Sequence, residues 1–143
     1  MAAPQFFTPQ RPSRSKSVRR FTLQEANSTL PLVKRIVADI VRVHASATKL
    51  RDRIESLTGG KELATTQSEL DRTLDQLHDL VNELSAVGAE LKDFEVGLID
   101  FVGRHDGHDI YLCWKLGEER ITHWHEKDAG FAGRKPVSLL NEK

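Results

Sequence analysis

Between Cys113 and Arg134 the chain reads CWKLGEERITHWHEKDAGFAGR and concentrates its ligand-capable side chains. His123 and His125 stand two residues apart on a segment with strand character. Residues i and i+2 of a strand point to one side, roughly 6.6 Å apart along the chain, so two imidazoles can converge there on one divalent ion such as zinc. Such an ion needs a further ligand. Glu126 and Asp128 follow immediately, and His44 lies on an apolar helical stripe at the spacing Val37, Ile40, His44, Ala47, from which it could reach toward the sheet. Arg134, after Gly130-Phe131-Ala132-Gly133, sets a guanidinium beside flexible backbone amides, a combination suited to a carboxylate or phosphate. It is not a phosphate loop, because the lysine-serine/threonine ending and the strand-to-helix setting are absent. Plainer readings stand beside these. Each histidine can simply pack with one ring nitrogen hydrogen-bonded, the glycines can serve a turn, and Arg134 can pair with Asp128 or Glu126. Cys113 is the only cysteine, which excludes an internal disulfide and a cysteine-based zinc finger. With Asp100 and Thr122 as its expected neighbours and no cation near, it reads as a packed thiol.

Positioning such a site falls to a helical hairpin and a small sheet. Thr22-Leu23-Gln24-Glu25 is a capping box, so a helix starts there. Pro31 cannot donate an internal hydrogen bond, which predicts a short helix near residues 23–29 and a break or kink, with Ser28 or Thr29 capping a second helix. From Val33 through Ile36, Val37, Ile40, Val43, Ala47, Leu50 and Ile54 to Leu57 the apolar residues recur at helical period. Thr58-Gly59-Gly60 ends that helix. A second stripe follows, Leu63, Leu70, Leu74, Leu77, Val81 and Leu84, beginning at Lys61 or at the Thr66-Gln67-Ser68-Glu69 box and ending at Gly88 as a left-handed cap. The short connection makes the two helices antiparallel neighbours.

After Gly88 the β-branched and aromatic residues predict three strands, 97–103, 109–116 and 120–125. Asp106-Gly107 is a type I′ hairpin signal and Gly117 marks the second turn. The fold class is therefore α+β, a long antiparallel helical hairpin followed by a small three-stranded antiparallel sheet. Two-residue turns at both hinges place Asp100 opposite Cys113, Phe101 opposite Leu112, Trp114 opposite Ile121 and Leu112 opposite His123. One face then collects Ile99, Phe101, Ile110, Leu112, Trp114, Ile121, His123 and His125 against the helices. Leu98, Asp100, Val102, Tyr111, Cys113, Thr122 and Trp124 fall on the other. A one-residue slip in either turn would exchange the faces of the strand concerned.

Composition bounds the rest. The 143 residues carry no net charge, yet residues 1–20 hold Arg11, Arg14, Lys16, Arg19 and Arg20 without an acid. With Pro4, Pro9, Pro12 and three serines, residues 1–20 are expected to form a disordered basic tail and residues 21–143 one helical-hairpin-plus-sheet domain. Nucleic acid is an expected partner only through that tail, since no base-reading helix or interleaved aromatic accompanies the charges. No apolar run approaches the roughly 20 residues of a membrane span, and Met1 to Arg20 lacks the apolar centre of a secretory signal. The expected location is cytoplasmic.

Three ordered motifs, FTLQEANSTLPLVKRIV, ELKDFEVGLIDF and YLCWKLGEERITHWHEKDAGFAGR, resemble the bacterial family catalogued as domain of unknown function 2203. The resemblance spans roughly residues 21–136. It implies a helical hairpin followed by a strand-rich segment and no established activity. His123 falls outside the characteristic positions, whereas Asp100, Cys113, Trp114, His125, Asp128 and Arg134 fall within them. Two functions are expected from the whole. In the first, the protein is an interaction or scaffold module whose hairpin pairs with that of a second copy as a homodimer. In the alternative, Asp100 and Arg134 bind a ligand beside a divalent metal, such as zinc, held by His44, His123, His125, Glu126 and Asp128, with metal-dependent hydrolysis as the chemistry. No catalytic residue is assigned.

Overall fold

The computed structural model describes residues 18–143. The basic tail lies outside the described residues apart from Val18, Arg19 and Arg20. Helix α1, Leu23–Ser56, begins at the expected box: the Thr22 hydroxyl accepts the Glu25 amide at 3.0 Å and the Glu25 carboxylate accepts the Thr22 amide at 2.9 Å. It runs unbroken through Pro31, which corrects the expected break. Ala26, Leu30, Val33, Val37 and Ile40 are all buried along one stripe, and keeping that stripe in phase outweighs the single hydrogen bond Pro31 cannot donate. Ser28 and Thr29 cap nothing; their hydroxyls donate back to the carbonyls of Gln24 and Ala26. Helix α2, Lys61–Val87, takes the earlier of the two starts. Thr66 is buried and donates to the Glu62 carbonyl instead of capping. Gly88 closes α2 at φ +115°, where its amide donates to the carbonyls of Leu84 and Ser85.

Five strands follow, not three: β1 Ala89–Asp93, β2 Leu98–His105, β3 His108–Lys115, β4 His123–Glu126 and β5 Lys135–Pro136. They form one antiparallel sheet in chain order. The first hinge behaves as expected. Asp106 and Gly107 have φ of 49° and 82°, the signature of a type I′ turn, and Asp100 faces Cys113 while Phe101 faces Leu112. The edge strands were not foreseen. Ala-Glu-Leu-Lys-Asp has little intrinsic strand preference, and β1 forms because Asp93 nucleates a tight turn: its carboxylate accepts the amides of Glu95 and Val96, and its carbonyl accepts that of Gly97.

The second hinge departs from the expected register by one residue. Leu112 faces Trp124 and Cys113 faces His123. The connection is not a two-residue turn but residues 116–122, built by side chains. Trp114 Nε1 donates to the Glu118 carbonyl at 3.0 Å, Glu118 Oε1 accepts the Lys115 amide at 2.9 Å, and Asn27 Oδ1 of α1 accepts the Ile121 amide at 2.8 Å. The wider loop brings Trp124 into the core beside Ile99, Phe101, Ile110, Leu112 and Trp114, against α1 and α2. His123 and His125 therefore lie on the outer face with Asp100 and Cys113, not on the core face as expected. No helix among the described residues is long and apolar enough to cross a membrane.

Candidate functional site

The register of β2, β3 and β4 sets Asp100, Cys113 and His125 side by side on the outer face. All three are buried, at 2%, 1% and 4% exposure. One carboxylate oxygen, the thiol sulfur and one ring nitrogen lie within 4.8 Å of one another. The segment after β4 runs beside them, with Gly130 and Phe131 lining one cavity together with Asp100 and His125. Gly130, at φ 69° and ψ −172°, turns the chain into a 3-10 turn, Phe131–Gly133, and Phe131 lies over the sheet between Lys115, 5.8 Å from its ring centroid, and Arg134, at 4.0 Å. Only glycine adopts that backbone region readily.

Hydrogen bonding fixes the imidazole of His125. Its Nδ1 is 2.7 Å from the Glu126 carbonyl oxygen. A carbonyl only accepts, so Nδ1 carries the hydrogen, and in neutral imidazole Nε2 presents a lone pair. That lone pair faces Asp100 Oδ1 at 3.3 Å. Two acceptors face each other in a buried position, and a proton or a cation must lie between them. Burial pushes the Asp100 carboxyl above the usual carboxylate range, against the downward pull of His125 and Lys92. The Cys113 thiol is pushed up to about 12 by burial and the adjacent Asp100 carboxylate, with Arg134 opposing. A divalent cation would reverse both pressures, because its own charge dominates such a site.

A cavity of about 180 Å³ adjoins the triad. Asp100 and His125 form its floor, and Lys92, Tyr111, Lys127 and Phe131 rise around it. Glu90 organises the rim: its Oε1 accepts the Lys92 ammonium at 3.0 Å and the Tyr111 hydroxyl at 3.2 Å. Lys92 and Lys127 both sit over the Tyr111 ring, 4.6 and 5.4 Å from its centroid. Burial works against the Lys92 ammonium, but the Glu90 carboxylate, together with Tyr111 and Asp100, more than offsets it and raises its pKa above the ordinary lysine value. Burial and the same Glu90 charge raise the Tyr111 phenol.

Of the residues singled out in the sequence, Asp100 and His125 come together and the others stand apart. His44 stacks on Phe94 at 5.0 Å on α1, which packs against the opposite face of the sheet. His123 shares the outer face, with Nδ1 2.9 Å from the Thr122 hydroxyl. Glu126 meets His108 Nε2 at 2.8 Å, and Asp128 is exposed. Arg134 stacks on Phe131 with Nη1 3.5 Å from Glu118 Oε2; that nitrogen is buried without a hydrogen-bond partner among the described residues. Cys113 is the member that sequence reasoning set aside. Its pairing with Asp100 was legible, but its approach to an imidazole depends on the register of β4.

The family model described as "Uncharacterized conserved protein (DUF2203)" matches residues 19–137, which contain both helices and all five strands. The chain belongs to that family. No curated protein and no solved structure matches the chain.

Proposed function

We propose that this chain, a member of a family without an established activity, is a metal-binding protein. In this reading it holds one divalent transition ion, zinc by preference, through Asp100 Oδ1, Cys113 Sγ and His125 Nε2. The observation that carries this reading is the orientation of His125. Metal-bound histidines characteristically donate their other ring N–H to a carbonyl or carboxylate, as Nδ1 does here to Glu126. The 3.3 Å between Nε2 and Oδ1 is long for a charge-assisted hydrogen bond. It suits two light-atom ligands, each about 2.0 Å from a tetrahedral zinc, which stand about 3.3 Å apart. A borderline-soft ion accepts this mixed sulfur, nitrogen and oxygen set. Three protein ligands would leave a fourth position for water beside the cavity that Asp100 and His125 line, and zinc so held would lower the pKa of that water. The reaction class this supports is metal-assisted hydrolysis.

Elemental analysis and zinc calorimetry of protein purified without a histidine tag test the reading. One zinc per chain is expected, with at least a hundredfold weaker binding in Cys113→Ser and His125→Ala. Absence of stoichiometric metal, together with no effect of added zinc or manganese on thermal stability, would sink it.

One observation favours a second reading, self-association through the hairpin. Near the sheet, Leu30, Val41 and Leu80 pack into the chain's own core, whereas Leu32 is exposed. Farther along the hairpin Ile54, Leu57, Leu63 and Leu70 are only half-buried and Leu74 is exposed, with no third layer among the described residues. Light scattering is expected to give a dimer in this reading, and a concentration-independent monomer would end it.

A further inference from the structure

We propose that the cavity over Asp100 and His125 takes a small anionic oxygen ligand at the open metal position, with Lys92 and Lys127 as its counter-charges. The proposal rests on the metal reading above and adds the class of ligand. Charge sets that class. A divalent ion is neutralised by the Asp100 carboxylate and the Cys113 thiolate, because His125 binds as a neutral imidazole. At the rim, Lys92 and Lys127 carry two positive charges against the one negative charge of Glu90, which leaves a single positive charge beside the open position. Lys127 has no carboxylate within ion-pair distance among the described residues, so its charge is available to a ligand.

Geometry agrees with the charge. Glu90 anchors both Lys92 and the Tyr111 hydroxyl, and Tyr111 in turn lies 5.4 Å from His125, ring to ring, so Lys92 is held relative to the triad, while Lys127 lies over the Tyr111 ring. The cavity, about 180 Å³, is smaller than the roughly 300–1,000 Å³ that drug-sized ligands occupy. It has room for a short carboxylate or a phosphate. The single surplus charge favours a monoanionic carboxylate. Leu98 and Phe131 add apolar wall for the short carbon chain of such a ligand.

Cobalt(II)-loaded, tag-free protein provides the test, because the visible spectrum of cobalt reports its fourth ligand. Acetate and inorganic phosphate are titrated separately. Both anions are expected to change the spectrum, acetate at the lower concentration. Lys92→Met and Lys127→Met are each expected to weaken acetate binding about tenfold while leaving cobalt affinity unchanged. Tighter phosphate than acetate would move the assignment to phosphoryl ligands. No spectral response to either anion, or the same half-saturation in both lysine variants, would overturn the proposal while leaving the metal reading intact. Failure to bind cobalt would refute the metal reading. Amide shifts of Tyr111, Lys127 and Phe131 with acetate in metal-free protein would then decide whether the lysine rim binds anions by itself.

Discussion

Replacing Asp100 by asparagine separates two physical descriptions of the buried triad. Asparagine has the same shape. Its amide can donate to the Nε2 lone pair of His125 across the 3.3 Å now spanned from Asp100 Oδ1, and its carbonyl can accept from the Cys113 thiol. At 2% exposure the substitution also removes a buried ionisable carboxyl. Metal-free Asp100→Asn protein is therefore expected within about 1 kcal/mol of the parent, or about 4 °C in Tm for a chain of this size. A stabilising imidazolium–carboxylate bridge would behave differently, since removing one partner of a buried pair costs about 3–5 kcal/mol, more than about 10 °C. Zinc then moves the two proteins apart. At a free zinc concentration 100 times the parent Kd the ion stabilises by about 2.7 kcal/mol, near 10 °C. Losing one of three protein ligands weakens binding at least as much as the ~10–100-fold loss from an outer-shell partner. A hundredfold loss leaves only about 0.4 kcal/mol of stabilisation at the same zinc concentration. Scanning calorimetry of both proteins, with and without zinc, reads all four states. An asparagine variant that melts more than about 10 °C lower without metal and keeps the full zinc shift would refute the reasoning.

Three other perturbations have defined outcomes. The hydrogen bond and charge of Arg20 hold the Asp109 carboxyl below its usual range. That contribution is fully present above the ordinary carboxylate pKa and is lost as pH falls through the lowered native value; urea melts across acidic pH should show it, and Asp109→Asn should remove it. The Cys113 thiol, buried and pushed up to about 12, should react with a thiol reagent in mildly alkaline, metal-free solution only at the rate of unfolding, and reaction at the rate of a free thiol would contradict its burial. Gly130→Ala should destabilise by about 1–3 kcal/mol in thermal melts, because φ 69° with ψ −172° strains any residue with a Cβ. An unchanged melt would show that the segment over the triad tolerates a different turn.

What the sequence revealed and what it concealed divide along the range of the interactions. The helices follow from stripes such as Val33, Val37 and Ile40, and the β2–β3 register follows from Asp106-Gly107, both local signals. Continuity through Pro31 does not follow locally, because it is the core packing of Leu30 and Val33 on either side that sustains it. The same holds for β1, whose charged composition becomes a strand only through pairing with β2. For the site the decisive element is the loop 116–122. Its width is set in part by Asn27 on α1 accepting the Ile121 amide, a contact between residues 94 positions apart. Without that loop the register of β4 reads one residue off, His125 points into the core, and Cys113 lacks an imidazole beside it. Asp100 and His125 were legible as residues with site character; their meeting with Cys113 required the register.

X-ray absorption at the zinc edge of the loaded, tag-free protein is the most direct measurement of the metal reading. The expected first shell is one sulfur at about 2.3 Å with the remaining light-atom ligands at about 2.0–2.1 Å. Cys113→Ser should lose the sulfur and keep the light atoms. A shell of nitrogen and oxygen alone in the parent protein would contradict an ion held between Asp100, Cys113 and His125.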